Sequence, residues 1–225
     1  MSADALATAV IAAAGSGERL GAGGPKALAE VAGKPLLAWS IAALVQAERI
    51  GSVVVSAPPG HEQEVGSQAG GALVVTGGAS RSESVALALE HVDSELVVVH
   101  DAARPLATPP LFDAVVAELH ADAGCDAIVA AAPLADTLKR ALAGRVIETV
   151  PRSELWAVQT PQAFRTKALR GALASDAETL AKATDDASLI EADGGVVRVF
   201  EWGEPNLKVT TQADLAIAHA LLAVR

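Results

Sequence analysis

Short apolar runs rich in valine and isoleucine recur along the chain, separated by stretches in which apolar residues return every third or fourth position. The runs at 6–13, 52–57, 72–75, 96–100, 127–132 and 196–200 predict strands. Several are hydrophobic at every position instead of alternating, as parallel strands covered on both faces are. The intervening periodicity predicts helices over 35–47, 81–91 and 109–120. In the last of these, Leu111, Val115, Val116 and Leu119 share one face, with Thr108 in the cap position and Pro109 opening the first turn. A further amphipathic helix covers 215–222, and Thr211 with Asp214 form a capping pair before it. Strands alternating with helices predict a Rossmann-like, three-layer α/β domain with a mostly parallel sheet and right-handed crossovers.

One segment breaks the rhythm. Across 136–158 a Gly144-Arg145 turn separates two short extended stretches, which reads as a protruding β-arm. No repeat, linker or low-complexity tract appears, so 1–225 is expected to be one domain carrying that arm. An arm that exposes apolar residues packs on something, and a second copy of the chain is the expected partner.

Composition narrows the setting. Apolar residues make up 51% of the 225, enough for a sizeable core, but aromatics only 3%, so alanine and valine must fill it by close packing. The lone Cys125 gives no disulfide framework and fits a reducing cytoplasm. Neither a signal region nor a bilayer-length apolar stretch is present, so no membrane role is expected. A formal net charge of -10 argues against a nucleic-acid coat. It leaves room for a nucleotide, because a few cations in a cleft can dominate locally.

The chemistry is concentrated first in the loop after the opening strand, Ala12-Ala13-Ala14-Gly15-Ser16-Gly17-Glu18-Arg19, running on to Pro25-Lys26. Glycines let backbone N–H groups approach phosphate oxygens, and Arg19 and Lys26 add charge. In a P-loop the lysine would follow the last glycine and precede Ser or Thr; here Ala27 follows. The dinucleotide fingerprint fails too, since the third glycine comes one residue late and Pro25 interrupts the helix it requires. Next, the hydrophobic run 96–100 ends in His100-Asp101-Ala102-Ala103-Arg104-Pro105. An acid at the carboxyl end of a parallel strand faces the crevice where α/β ligands bind; the simpler reading pairs Asp101 with Arg104. Gly77-Gly78-Ala79-Ser80 suits the edge of a base or ribose, although Ser80 or Ser84 could merely cap the following helix. Asp185 and Asp186 after Thr184 read as acids decorating a helix N-terminus, and Lys208 lies before the last helix without a helical partner. His61, His91, His120 and His219 have no second ligand at metal spacing.

Taken in order, these strings resemble the 2-C-methyl-D-erythritol 4-phosphate cytidylyltransferases of the non-mevalonate isoprenoid pathway. The likeness is carried by the Gly15–Arg19 loop, Pro25-Lys26, Gly77-Gly78 through Ser84, His100-Asp101-Ala-Ala-Arg104-Pro105, Asp136-Thr137, Gln159-Thr160-Pro161-Gln162, Thr184-Asp-Asp-Ala and Lys208-Val-Thr210. It spans nearly the whole chain. Ala12, where relatives often carry proline, and Ser82-Glu83, where they often carry a shorter acid, depart from it. The resemblance implies in-line attack of a polyol phosphate on the α-phosphorus of CTP, with pyrophosphate leaving and no covalent enzyme intermediate. It gives Arg19, Lys26 and Lys208 to catalysis. Ala13, Ala14, Gly15, Ser16, Gly17, Gly78, Ala79, Ser84 and Ala102 go to CTP, and Asp101, Arg104, Thr137, Arg152, Thr160 and Thr184 to the polyol phosphate. It further implies Mg2+ or another divalent cation near Asp101, through water, and a homodimer in which Thr137 and Arg152 of the arm complete the neighbouring site. A ribitol 5-phosphate cytidylyltransferase or a catalytically silent nucleotide-binding dimer stays open at this stage.

Overall fold

The computed structural model describes residues 6–15, 17, 20 and 24–224, so Ser16 and Arg19 lie outside the described residues. In chain order the strands are β1 (Ala7–Ala12), β2 (Glu30–Val31), β3 (Lys34–Pro35), β4 (Ile50–Ala57), β5 (Leu73–Thr76), β6 (Leu96–Asp101), β7 (Ala127–Pro133), β8 (Leu138–Leu142), β9 (Arg145–Val150), β10 (Trp156–Arg165) and β11 (Val197–Glu201). The helices are α1 (Leu36–Gln46), α2 (Glu62–Gln68), α3 (Arg81–Leu89), α4 (Pro109–Ala121), α5 (Thr166–Leu173), α6 (Ala177–Lys182), α7 (Asp186–Ala192) and α8 (Gln212–Leu222).

Seven strands form one sheet in the order β11-β7-β10-β6-β1-β4-β5. β1 pairs in parallel with both β4 and β6, so that Val10 lies between Val54 and Val99. Continuous hydrophobicity follows from this central position. Ala9 and Ile11 of β1 pack toward α1 and α4, whereas Val10 packs toward α3 and α5. Neighbouring residues of one strand thus enter opposite cores, and the expected three-layer, mostly parallel architecture is what the chain adopts. A third cluster, with Leu20, Val31, Leu36, Val209 and Leu222, seats α8 on the β2–β3 hairpin.

The exception to parallel pairing is β10, which runs antiparallel between β6 and β7. The sequence pattern hid it, because Gln159, Thr160, Pro161 and Gln162 interrupt its apolar run. Proline inside a run argues against a strand, and the ladder accommodates it by a register shift between Val158 and Gln162. The arm is correspondingly shorter than the expected 136–158. Its two strands β8 and β9 form a separate hairpin spanning 138–150, and 156–158 belong to the main sheet. The hairpin exposes Leu142, Val146 and Ile147. Thr108 holds the N-cap position of α4, but its hydroxyl makes no cap bond. At α8, by contrast, Thr211 and Asp214 form the full capping box.

Candidate active site

Four segments meet at the carboxyl edge of the parallel strands and line an open cleft of about 630 Å³. They are the loop after β1, the turn between β5 and α3, the turn after β6, and Lys208–Thr210 ahead of α8. Close backbone bonds hold them together. Ala13 N donates to Ser56 O at 3.1 Å and Ala102 N to Ala12 O at 3.3 Å. Val209 N reaches back to Ala103 O at 2.8 Å. The Gly-rich loop closes on itself, with Lys26 N donating to Gly15 O at 3.2 Å. Gly17 has φ +73°, and a Cβ there would come within 3.1 Å of Lys26 Cα, so glycine lets the loop fold against the lysine.

The second glycine turn is tighter still. A Cβ on Gly77 would lie 2.7 Å from Ala14 Cβ and 2.9 Å from Ser84 Oγ. Ser80 caps α3 by accepting from Glu83 N at 3.1 Å. Ser84 Oγ donates to Ser80 O at 2.8 Å and accepts from Gly78 N at 3.0 Å. Ser84 lines the cleft. Its hydroxyl, however, is engaged in shaping the turn, and the side chain is buried. Glu83, the longer acid that departs from the family pattern, accepts from Ala79 N at 2.7 Å.

At the floor of the cleft lies a chain of charges that sequence reading only half foresaw. Lys208 Nζ sits 2.6 Å from Asp101 Oδ2. Arg81 Nε donates to Asp101 Oδ1 at 3.0 Å, and Arg81 Nη1 to Asp186 Oδ2 at 2.6 Å. Burial alone would push the Asp101 carboxyl up, but the Arg81 guanidinium and the Lys208 ammonium outweigh it and hold that carboxyl well below the usual carboxylate range. Asp186 is fully buried, and that burial pushes its carboxyl up, against the pull of Arg81. The Arg104 side chain does not bond the Asp101 carboxylate, although Arg104 backbone N donates to Asp101 O at 3.0 Å. Its Nη1 donates to Asn206 O at 2.7 Å, and burial lowers its pKa. Asp185 caps α7 by accepting from Ser188 N at 3.0 Å. Asp186 is thus no surface decoration but the buried anchor of Arg81.

A second recess of about 200 Å³ adjoins the first. Arg104, Thr160 and Thr184 line it, and Arg81, Asp101 and Lys208 line both recesses. Thr160 is 4% exposed. Its Oγ1 accepts from Asp101 N at 3.0 Å and lies 3.2 Å from His100 Nδ1, so it fixes the end of β6. His100 is buried against the edge of Phe112, and that desolvation, with Arg104 adding to it, pushes its pKa down to about 3. Asn206 donates to Gln159 Oε1 and Thr160 O, both at 2.9 Å, tying the segment before Lys208 to β10.

The structure therefore brings Ala13, Ala14, Gly15, Gly17, Lys26, Gly78, Ala79, Ser84, Asp101, Ala102 and Lys208 together around the first cleft, and Arg104, Thr160 and Thr184 around the second. Thr137 and Arg152 are exposed and line neither. Arg81, Asp186 and Asn206 were missed. A cation opening a helix after a glycine turn was the available signal for Arg81; nothing local marked the other two.

Among the described residues no three His, Cys, Asp or Glu side chains gather as a metal cage. Asp101 is the acid that, among the described residues, lines the larger cleft. One carboxylate suits magnesium, which keeps most of its waters and leans on substrate phosphates. With Arg81 and Lys208 on its two oxygens, Asp101 fits such an ion through water.

Comparison with known proteins agrees with this geometry. The family model described as 2-C-methyl-D-erythritol 4-phosphate cytidylyltransferase matches residues 7–224. A protein of that name from Frankia casuarinae is 45% identical over 219 residues, covering 96% of this chain and 80% of the relative. One from Deinococcus radiodurans is 47% identical over 214 residues, covering 95% and 88%. The crystal structure of the protein of that name from Thermus thermophilus superposes with a TM-score of 0.80 at 37% identity, covering 96% of this chain and 98% of its own.

Proposed function

The chain belongs to the 2-C-methyl-D-erythritol 4-phosphate cytidylyltransferase family, and on that premise we propose how its residues divide the work of joining CTP to methylerythritol phosphate. The protein is a cytidylyltransferase of the isoprenoid pathway: it forms 4-diphosphocytidyl-2-C-methyl-D-erythritol from CTP. An oxygen of the acceptor phosphate attacks the α-phosphorus, the bond to the β-phosphate oxygen breaks, and pyrophosphate leaves with that electron pair. Catalysis then consists of alignment and of neutralising phosphate charge.

The larger cleft takes CTP. Its glycine turns offer backbone amides, and Ala13, Ala14, Gly15, Ser16, Gly17, Gly78, Ala79 and Ala102 border the nucleotide, with Ser84 holding the second turn in shape. Arg19 and Lys26 hold the triphosphate, and Lys208 supplies a cation at the α-phosphate. The smaller recess takes the acceptor, with Arg104 and Thr184 at its walls, Thr160 setting the end of β6, and Asp101 facing a polyol hydroxyl. The observation that carries this arrangement is that Arg81, Asp101 and Lys208 border both recesses: two substrates seated there would meet beside Lys208.

Mg2+ or another divalent cation, bound chiefly by the triphosphate and reached by Asp101 through water, would add positive charge where negative charge builds up. The exposed Leu142, Val146 and Ile147 of the hairpin support a homodimer. The position of Thr137 and Arg152 outside both recesses supports their service to the partner's acceptor site. The buried, unpaired Cys125 is in keeping with a reducing cytoplasm, and among the described residues no helix is long and apolar enough to cross a membrane.

The test is pyrophosphate release from CTP with magnesium, offering methylerythritol phosphate and ribitol phosphate separately. Release with the first alone is expected. Release only with ribitol phosphate would retain the nucleotide site and overturn the acceptor, and no release with either would overturn both.

A further inference from the structure

Arg81 has no part in the division of labour above, yet it links both acids beneath the cleft. Its Nε donates to Asp101 Oδ1 and its Nη1 to Asp186 Oδ2. Its Nη2 is buried with no hydrogen-bond partner. In a guanidinium the Nε and Nη2 hydrogens point the same way, and that edge is the one that grips a carboxylate with two parallel bonds. Here only one prong of the fork is on Asp101. The other oxygen of the carboxylate is taken by Lys208 Nζ at 2.6 Å.

Lys208 has three donors, but drawing its ammonium in among the nucleotide phosphates would loosen or break its bond to Asp101. Asp101 is 6% exposed, and stripping a buried carboxylate of a partner is strongly unfavourable unless another donor replaces it. The idle Nη2 is such a donor, on the correct edge and on a side chain already bonded to Asp101. Asp186, fully buried at the start of α7, holds the opposite side of the guanidinium and keeps it from following the phosphates into the cleft.

We propose that Arg81 is a positioning residue that receives Asp101 when Lys208 moves to the nucleotide, turning a carboxylate shared between two cations into one gripped by Arg81 alone. Arg81 thereby releases Lys208 without itself touching phosphate. This inference rests on the assignment of Lys208 to the nucleotide.

The test is CTP affinity, measured by titration calorimetry without magnesium and without acceptor, so that Asp101 carries no metal-bound water. The double variant R81Q/D186N removes a cation together with its buried acid, so neither is left unpaired. Lys208 is then the sole cation on Asp101, and the Kd for CTP should rise about tenfold, the equivalent of about 1.4 kcal/mol. Adding D101N should bring the Kd back to within about twofold of the parent, because Lys208 no longer has a carboxylate to leave. A residue that only supported the fold, or one that touched phosphate, would show no such recovery, and its absence overturns the proposal. So does unchanged affinity in R81Q/D186N. K208M separates the two levels: if it loses CTP affinity while R81Q/D186N does not, the exchange alone fails. If K208M binds CTP like the parent, the nucleotide assignment fails and the exchange falls with it. Should R81Q/D186N not fold, R81K carries the same comparison, because lysine keeps the charge but has no fork. Its weakened CTP binding should again recover with D101N, and failure to recover again overturns the exchange.

Discussion

Lys208 Nζ and Asp101 Oδ2 lie 2.6 Å apart, so two side chains expected to serve different substrates are each other's partners in the structure. The bond is short because each answers a local demand. Asp101 ends a buried strand and needs positive charge. Lys208 is delivered to it by the Val209–Ala103 backbone bond and by Asp214, which accepts from Thr210 N, Thr210 Oγ1 and Thr211 N. The pair holds the junction of the two recesses at near-neutral local charge until phosphates arrive.

Lys26→Ala should lower turnover by about 10²–10³-fold, the usual loss on removing one group that stabilises developing charge. Arg19→Ala should do the same. Thermal unfolding should stay near the parent value for both. Turnover within a few-fold of the parent would remove either cation from the mechanism.

His100 makes stability depend on pH. Folded, its imidazole stays neutral down to about pH 3; unfolded, it takes up a proton near its ordinary 6.5. The unfolded chain binds more protons between these values, so stability falls as pH drops from about 6.5 toward 3. Asp101, depressed in the folded state, adds a loss below its ordinary 3.8. Urea midpoints across this range should therefore decline toward acid. His100→Leu should flatten the part above about pH 4, and an unchanged slope there would refute the assignment to His100.

Gly77→Ala should cost about 1–3 kcal/mol, as overpacking typically does, since its Cβ would press on Ala14 and Ser84. Because both contacts line the larger cleft, CTP affinity should fall along with the urea midpoint. Loss of stability with intact CTP binding would show that the turn does not shape the nucleotide site.

Arg152→Ala should weaken the acceptor phosphate and leave CTP binding unaltered. If the arm serves the neighbouring subunit, mixing inactive Arg152→Ala and Lys26→Ala proteins should restore activity, because one site of each mixed dimer is intact. Size-exclusion chromatography checks the dimer, and no recovery after subunit exchange would place Arg152 on its own subunit's chemistry or on none.

The parallel strands, α4 and the α8 cap were legible because each is specified locally, by continuous apolar runs or by a cap three residues from its partner. The place of Gly15, Gly17 and Lys26 on the cleft was legible for the same reason: they sit within a dozen positions, straight after a strand. β10 was not, because its polar, proline-containing middle is acceptable only through a register shift between two particular neighbours. Nor was the Arg81–Asp186 pair, separated by 105 positions and joined only when α3 and α7 pack on the same face of the sheet. Ser84 was ambiguous in a different way. A hydroxyl beside a glycine turn is equally suited to a ligand and to the turn, and only the fold decides between them.

The bond from Val209 N to Ala103 O has a consequence for the newborn chain. β11 ends at Glu201, so a chain interrupted at Leu207 already holds all eleven strands of the described residues. It lacks Lys208, the bond that seats it and the whole of α8. Such a fragment is a sheet with a glycine-rich loop and an Asp101 left to Arg81 alone, and on the proposed role of Lys208 chemistry must wait until that residue and its seat have been made.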